Sequence, residues 1–331
     1  MAVVAVSGGT GDLGRTIVSA IADAGRHNVI VLSRATSTAS TADGEPKRVS
    51  VDYSNVEQLS SVLRAHGVSV VVAALLLADD ASTQSQINLI RAAALSGTIK
   101  KFIPTEYHLD YNVPITGVDI AFAPYQLECE EELKRHPELT YTLIRNGLFL
   151  DYLAMPYGPM PTNLKPLWLF LDLPHQRLVI PGDGTDHVVF THTADLAACI
   201  ERLVALPVEQ WPREALLQGN RIQVKDLVEI TRRISGREFA VSWEARDAIR
   251  SGRHAVLPSN EAVFAQPSSG QLFRELEREV LLTTLGGGYE NLQGQDLAEM
   301  LPDVSVTDLE TFLRRAWETK EKEQLSTTNS T

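Results

Sequence analysis

The sequence is short of several things, and each shortage removes a class of protein. Two cysteines, Cys129 and Cys199, stand in 331 residues, too few for a disulfide framework or a cysteine-built metal centre. Both fall in segments with helical patterning, where a small buried side chain is the expected role. No run of lysine and arginine occurs, and the formal net charge is −12. Without clustered cations the chain is expected to bind neither nucleic acid nor an anionic membrane surface. The longest apolar stretch, residues 68–78, is too short to cross a bilayer. The opening Met1-Ala2-Val3-Val4-Ala5-Val6 lacks the charged segment and cleavage site of a signal peptide. A reducing aqueous compartment, the cytoplasm, is the expectation. There is no G-x-S-x-G elbow for a serine nucleophile, and no recurrent His, Cys and carboxylate spacing predicts a metal site.

What the chain does contain is alternation. Short β-branched runs at residues 3–6, 28–32, 49–51, 68–74, 101–103 and 141–144 read as strands. Between them lie helical patterns, one carrying Ile17, Val18 and Ile21, another Leu59, Val62 and Leu63, and two more at 83–96 and 126–135. Ser54 and Glu57 have capping-box spacing ahead of the second of these. Residues 36–46 read as a loop. Such alternation predicts an α/β fold with right-handed crossovers, a Rossmann-like doubly wound parallel sheet. The second half changes character. Residues 155–174 are rich in proline and aromatics, 191–206 return to a helix pattern, and helices at 224–235, 272–285 and 306–317 come with few strands. The expected division is a dinucleotide-binding domain over 1–155, with 186–206 packing back on it. A smaller, mostly helical C-terminal substrate lobe covers 156–319, and a disordered tail 320–331.

The loop after the first strand carries the chemistry. Gly8, Gly11 and Gly14 give G-x-x-G-x-x-G between the first strand and the first helix. Gly8 permits the turn, Gly11 a close approach of backbone to a diphosphate, and Gly14 tight packing of helix on strand. The helix that begins there aims free N–H groups and its positive dipole end at phosphate. Arg34 ends the second strand, where a carboxylate would accept from the ribose 2′-OH of NAD; an arginine there suits the 2′-phosphate of NADP(H). Arg15, Lys47 or Arg48 could supply a second cation. Asp52 after the third strand could accept from adenine, or serve as a turn residue.

Four stretches extend the pattern: Gly8-Gly9-Thr10-Gly11-Asp12-Leu13-Gly14; Gln86-Ile87-Asn88-Leu89-Ile90 with Lys101-Phe102-Ile103-Pro104-Thr105-Glu106-Tyr107; Tyr141-Thr142-Leu143-Ile144-Arg145-Asn146-Gly147; and Ile180-Pro181-Gly182-Asp183-Gly184 with Phe190-Thr191-His192 and Asp195. With these the chain resembles the NmrA-like and isoflavone-reductase-like group of atypical short-chain dehydrogenases/reductases, in its fungal form. The match spans most of residues 1–210, with Pro-Thr-Glu-Tyr its most specific part, and is loose in the C-terminal lobe. The resemblance implies that Thr10, Asp12 and Leu13 join the glycines at the cofactor and that Ala74 and Leu75 pass it by backbone. It also implies that Pro104, Thr105, Glu106 and Tyr107, with Asn146 and Phe149, surround the nicotinamide.

One expected group is missing. Reduction of a carbonyl or enone needs a proton donor, and short-chain reductases commonly use Tyr-x-x-x-Lys, which is absent here. Relatives of the isoflavone type carry a lysine early in the helix before the Tyr-Thr strand; the aligned residue is Gln126, which cannot titrate. Candidate catalytic groups are therefore Gln126 itself, holding a ribose, a carbonyl or a water, and Tyr107, His108 or Tyr125 as donor. Three functions follow. The first is NADPH-dependent reduction of a C=C, C=O or C=N bond in a small aromatic or polyketide-like secondary metabolite. The second is a redox sensor without turnover, and the third a non-redox isomerase or cyclase. Tyr152, Met155, Tyr157, Met160, Trp168 and Phe170 are expected either to line an apolar pocket or to fill the core between lobes. His187 and His192 are expected to be structural. The assembly expected is a monomer or homodimer.

Overall fold

The computed structural model describes residues 1–34 and 46–328; all of the predicted loop except Pro46 lies outside the described residues. Strands β1 (Val3–Ser7), β2 (Asn28–Ser33), β3 (Lys47–Ser50), β4 (Val70–Ala73), β5 (Lys101–Ile103) and β6 (Thr140–Tyr141) make one sheet in the order 3-2-1-4-5-6. Every pairing in it is parallel. The helices that return the chain are α1 (Asp12–Ala24), α2 (Val56–Ala65), α3 (Asp80–Ser96) and α4 (Ala123–Lys134).

Successive strand residues face opposite sides, and β1 shows the result. Val4 and Val6 join a core with Ile17 and Ile21 of α1 and with Leu196 and Ile200 of α5 (Thr193–Ala205). Ala5 points the other way, into a core with Leu59 and Leu63 of α2 and Leu89 and Ile90 of α3. Both faces are covered, which explains why the central strands read as unbroken apolar runs. Strand order reverses between β1 and β4, so a crevice opens at their carboxyl ends.

β7 (Leu143–Arg145) continues β6 beyond Thr142, and its free edge takes β12 (Glu214–Leu216), which in turn takes β15 (Gln295–Asp296), all parallel. The remaining strands form two small sheets. One holds β9 (Leu171–Asp172), β10 (Arg177–Pro181) and β14 (Ala240–Glu244); the other holds β8 (Leu148–Phe149), β11 (His187–Thr191) and β13 (Asn220–Gln223). Helices α6 (Asp226–Ser235), α7 (Arg246–Arg250), α8 (Pro258–Phe264), α9 (Gly270–Leu285), α10 (Leu297–Met300) and α11 (Leu309–Thr328) complete the chain. A third apolar core, which includes Leu150, Phe170, Phe190, Leu281 and Trp317, lies under them.

Three local expectations give way. The second half holds more strand than its pattern suggests, because segments of two to five residues are too short for period two to register. Helix α2 is capped by Asn55, whose Oδ1 accepts from the Gln58 amide at 2.9 Å, and not by Ser54, whose hydroxyl donates to Asp52 at 2.6 Å. Of the tail expected to be disordered from Lys320, residues 320–328 are instead the end of α11. Lys320 is fully buried with its ammonium 4.1 Å from the centre of the Trp317 ring, a cation–π contact that a composition-based reading of a polar tail does not anticipate. Among the described residues no helix is long and apolar enough to cross a membrane.

Candidate functional site

The crevice between β1 and β4 opens into a cleft of about 490 Å³. Its upper wall is the β1–α1 loop. Gly8 holds φ +75°, and a Cβ there would come within 2.3 Å of the Ala74 carbonyl oxygen. Gly14 lies against the same turn, where a Cβ would stand 2.1 Å from the Gly8 oxygen. Gly11 is different. It sits in extended backbone as the N-cap of α1, with no side chain closing the helix end, so the first N–H groups of α1 face the cleft. The space above Gly11 is what a diphosphate would fill. Thr10, Asp12, Leu13 and the exposed Arg34 line the same end.

The second wall is made by the ends of β4 and β5, stitched together by side chains. The Leu75 amide donates to Thr105 Oγ1 at 2.9 Å, and the Thr105 amide donates to Gln86 Oε1 at 3.0 Å. Ala74, Leu75 and Thr105 all line the cleft. Tyr107 lines it too, but its hydroxyl donates to the Ala73 carbonyl at 2.8 Å, and burial raises its pKa. Its proton is committed to the backbone. His108 joins the cleft with Nε2 2.8 Å from the Tyr289 hydroxyl. Burial pushes its pKa down to about 4, so near neutral pH the ring is an uncharged hydrogen-bond partner. Gln126, in the first turn of α4, is 9% exposed, and its Oε1 has no hydrogen-bond partner. An unsatisfied buried acceptor facing a cleft is a place for a ligand's donor. Phe149 completes this part of the lining.

Several expected residues are not brought to the cleft. Gly14 acts from behind, through the packing just described. Asp52 accepts from the amide and hydroxyl of Ser54 in an exposed turn, hydrogen bonds that lower its pKa. Pro104 is buried behind Thr105. Glu106 turns to the opposite side of the chain from its neighbours. Its carboxyl is 4.0 Å from the Arg145 guanidinium, and burial pushes its pKa up to about 8. Asn146 is fully buried, bonding only to the Gly147 carbonyl. Tyr125 packs against the core that holds Cys129. Arg15, Lys47 and Arg48 are absent from the lining as well.

The aromatic segment also divides differently from expectation. Met155, Met160 and Trp168 line a separate cavity of about 260 Å³ with Asp151 and Phe312, while Phe170 is core. His187 pairs with Glu290 at 2.9 Å, and His192 accepts from the Ala194 amide at the start of α5. Both have structural partners.

Sequence reasoning missed five lining residues drawn from both halves of the chain. Tyr111, Phe122, Lys165, Leu276 and Glu279 line the cleft. Lys165 arrives on a strap that Asn163 ties to Thr16 of α1, Nδ2 to Oγ1 at 3.1 Å. The face of α9 was legible in principle, since residues 272, 276, 279 and 280 share one helical stripe.

Comparison with known proteins bears on the family and the fold. A family described as NAD(P)H-binding matches residues 8–163. "Oxidoreductase swnN" of Metarhizium robertsii is 48% identical over 340 aligned residues, covering 97% of this chain and 99% of its own. Among solved structures, the leucoanthocyanidin reductase–NADPH complex of Vitis vinifera superposes with a TM-score of 0.70 at 18% identity, over 95% of this chain and 99% of that one. A structure described with pinoresinol-lariciresinol and phenylcoumaran benzylic ether reductases, and their relationship to isoflavone reductases, reaches 0.72 at 18% identity over 95% and 98%.

Proposed function

The chain belongs to the isoflavone-reductase-like, NmrA-like family of NAD(P)H-binding oxidoreductases, and from that premise we propose that it is an NADPH-dependent reductase of a small, largely apolar aromatic or polyketide-like metabolite. The observation that carries this reading is a single continuous cleft. Its lining joins Gly11, at the uncapped start of α1, to the apolar side chains of Phe122, Leu276 and Val280 and to Gln126, whose buried Oε1 has no partner. When bound, the nicotinamide supplies a hydride for a C=C, C=O or C=N bond. Arg34 selects the 2′-phosphate, the α1 amides and Lys165 hold the diphosphate, and Thr105 fixes the backbone of Leu75 beside it. Gln126 accepts from a ribose or substrate donor. Tyr107 positions the β4 end without giving up its proton.

Incubation with NADPH and a panel of phenolic, enone and cyclic imine compounds should oxidise the cofactor, and Gln126→Ala should slow that oxidation. Because the tyrosine proton is committed and Gln126 cannot titrate, a sensor without turnover is the second reading. Stoichiometric NADPH binding with no oxidation across the panel would select it.

A further inference from the structure

The cavity beside the cofactor cleft has an architecture of its own. Residues 155–168 form a proline-rich loop, closed at its base by the Trp168 indole N–H, which donates to the Met155 carbonyl at 3.0 Å. Asn260, fully buried, grips the same tryptophan by its main chain. Its Oδ1 accepts from the Trp168 amide at 3.0 Å and its Nδ2 donates to the Trp168 carbonyl at 2.8 Å. The loop and Phe312 of α11 line about 260 Å³, and Leu164 is the one residue that this lining shares with the cofactor cleft. Thioethers of Met155 and Met160, the rings of Trp168 and Phe312 and three prolines make most of the wall. Such groups favour the faces and edges of a flat ring.

Asp151 is the only charged residue of that lining among the described residues, and it is 3% exposed. Its carboxylate accepts from the Thr193 amide at 3.0 Å and the Thr193 hydroxyl at 2.7 Å. Both bonds lie at the start of α5, where the helix dipole favours a negative charge. His192 Nε2 is 3.6 Å from Oδ1. Because His192 Nδ1 accepts from the Ala194 amide, the ring proton sits on Nε2, so a positive edge faces the carboxylate as well. The charge is thus balanced without an ammonium. A carboxylate offers about four acceptor positions, and Thr193 uses only part of that capacity. Thr162 Oγ1 is engaged by the Leu164 amide at 3.2 Å, which leaves Asp151 as the anchor for a ligand.

We infer that this loop holds a second small-molecule site, separate from the cofactor cleft, for a neutral phenol. The ring packs on Trp168, Phe312 and the two thioethers, and the hydroxyl donates to Asp151. The inference goes beyond the reductase reading and does not depend on it. A plain hydrocarbon would leave the buried acceptor unpaired, and a carboxylate would meet like charge. An ammonium would lose its hydration to reach a charge that α5 and His192 already balance. The ties at Trp168 hold the site open before a ligand arrives, so little ordering has to be paid on binding.

Three brominated probes test this. 4-Bromophenol is neutral near pH 7, bromobenzene has the same ring without the hydroxyl, and 4-bromobenzylamine carries an ammonium. Each is titrated calorimetrically into the full-length protein saturated with NADP⁺, and the bromine is located by its anomalous scattering in soaked crystals. 4-Bromophenol should bind at least about tenfold more tightly than bromobenzene and more tightly than the amine, with its bromine in the cavity lined by Trp168 and Phe312. Asp151→Asn should remove the preference for the hydroxyl. Bromine found in the cofactor cleft alone, or in the crystal without binding in solution, overturns the inference. Equal affinities, a tighter amine, or a preference that survives Asp151→Asn overturns it too. Because Asp151 also holds Thr193, the variant could fail to fold; the wild-type affinities and the bromine position then decide by themselves.

Discussion

Two alanine substitutions in the β1–α1 loop should fail in opposite ways. In Gly14→Ala the new Cβ would lie 2.1 Å from the Gly8 oxygen, 2.7 Å from its carbonyl carbon and 2.9 Å from Gly9 Cα. All three are backbone atoms, so relief requires the loop to move by more than an ångström. Overpacking of that kind costs about 1–3 kcal/mol, a drop of roughly 2–12 °C in Tm at about 2–4 °C per kcal/mol for a chain of this order of size. In Gly11→Ala the nearest atom is the Gly8 oxygen at 3.2 Å, and φ −84°, ψ −172° suits any residue. The cofactor-free protein should therefore lose only about 0.5–1 kcal/mol, from a poorer N-cap and a slightly tight contact. The added methyl projects into the space expected to hold the diphosphate, however, so NADPH affinity should fall about 30- to 100-fold, or about 2–3 kcal/mol. Thermal unfolding without cofactor and a fluorescence titration with NADPH separate the two effects. If Gly14→Ala unfolds at the wild-type temperature and Gly11→Ala binds NADPH as tightly as wild type, the geometric argument for this loop is wrong.

Arg34→Asp should reverse the cofactor preference, with NADPH affinity falling by roughly 1.5–3 kcal/mol for loss of a charge-assisted contact and NADH affinity holding or rising; parallel titrations that show no change remove the role given to Arg34. Gln126→Ala should slow any NADPH oxidation found in the substrate panel while leaving stability within about 1 kcal/mol of wild type, and an unchanged rate would take Gln126 out of the site. The pH dependence follows from His108. Its folded pKa of about 4 lies below the ordinary 6.5, so the unfolded chain binds the proton first. The stability of keeping the ring neutral is complete above about 6.5 and is lost as pH falls toward 4, by up to about 3 kcal/mol. Chemical denaturation across that range should show the loss in wild type, and a shallower one in His108→Gln.

The glycine loop was legible because it is a matter of backbone. A strand, a turn and a helix end within a dozen residues fix where Gly8, Gly11 and Gly14 must sit, whatever the rest of the chain does. The wall at the ends of β4 and β5 depends on side-chain direction, and there the expected lining was only partly met. Thr105 and Tyr107 face the cleft, and Glu106 between them turns toward Arg145, an alternation that extended backbone imposes and that a motif match overlooks. Tyr125 and Gln126 are likewise neighbours on α4 that point to different places. The apolar end was hidden for another reason. Glu279 meets Ala121 across 158 positions of chain, and no local pattern announces a pairing that distant. What spacing could show was the stripe on α9, not the surface it would meet.

The buried Arg145 ties together pieces made at very different times. Its guanidinium, 1% exposed, reaches Asp110 at 3.2 Å, Glu214 at 3.1 Å and the Gln293 carbonyl at 2.9 Å. Asp110 lies in the stretch that presents His108 and Tyr111, so that stretch gains its last tether only when residue 293 is in place. On a ribosome that releases residues in order, the nucleotide-cradling half emerges complete in sequence while its neighbouring wall still lacks this anchor. Maturation of the cleft is thus a late event in translation, and a nascent chain arrested shortly before β15 should hold a nucleotide loosely.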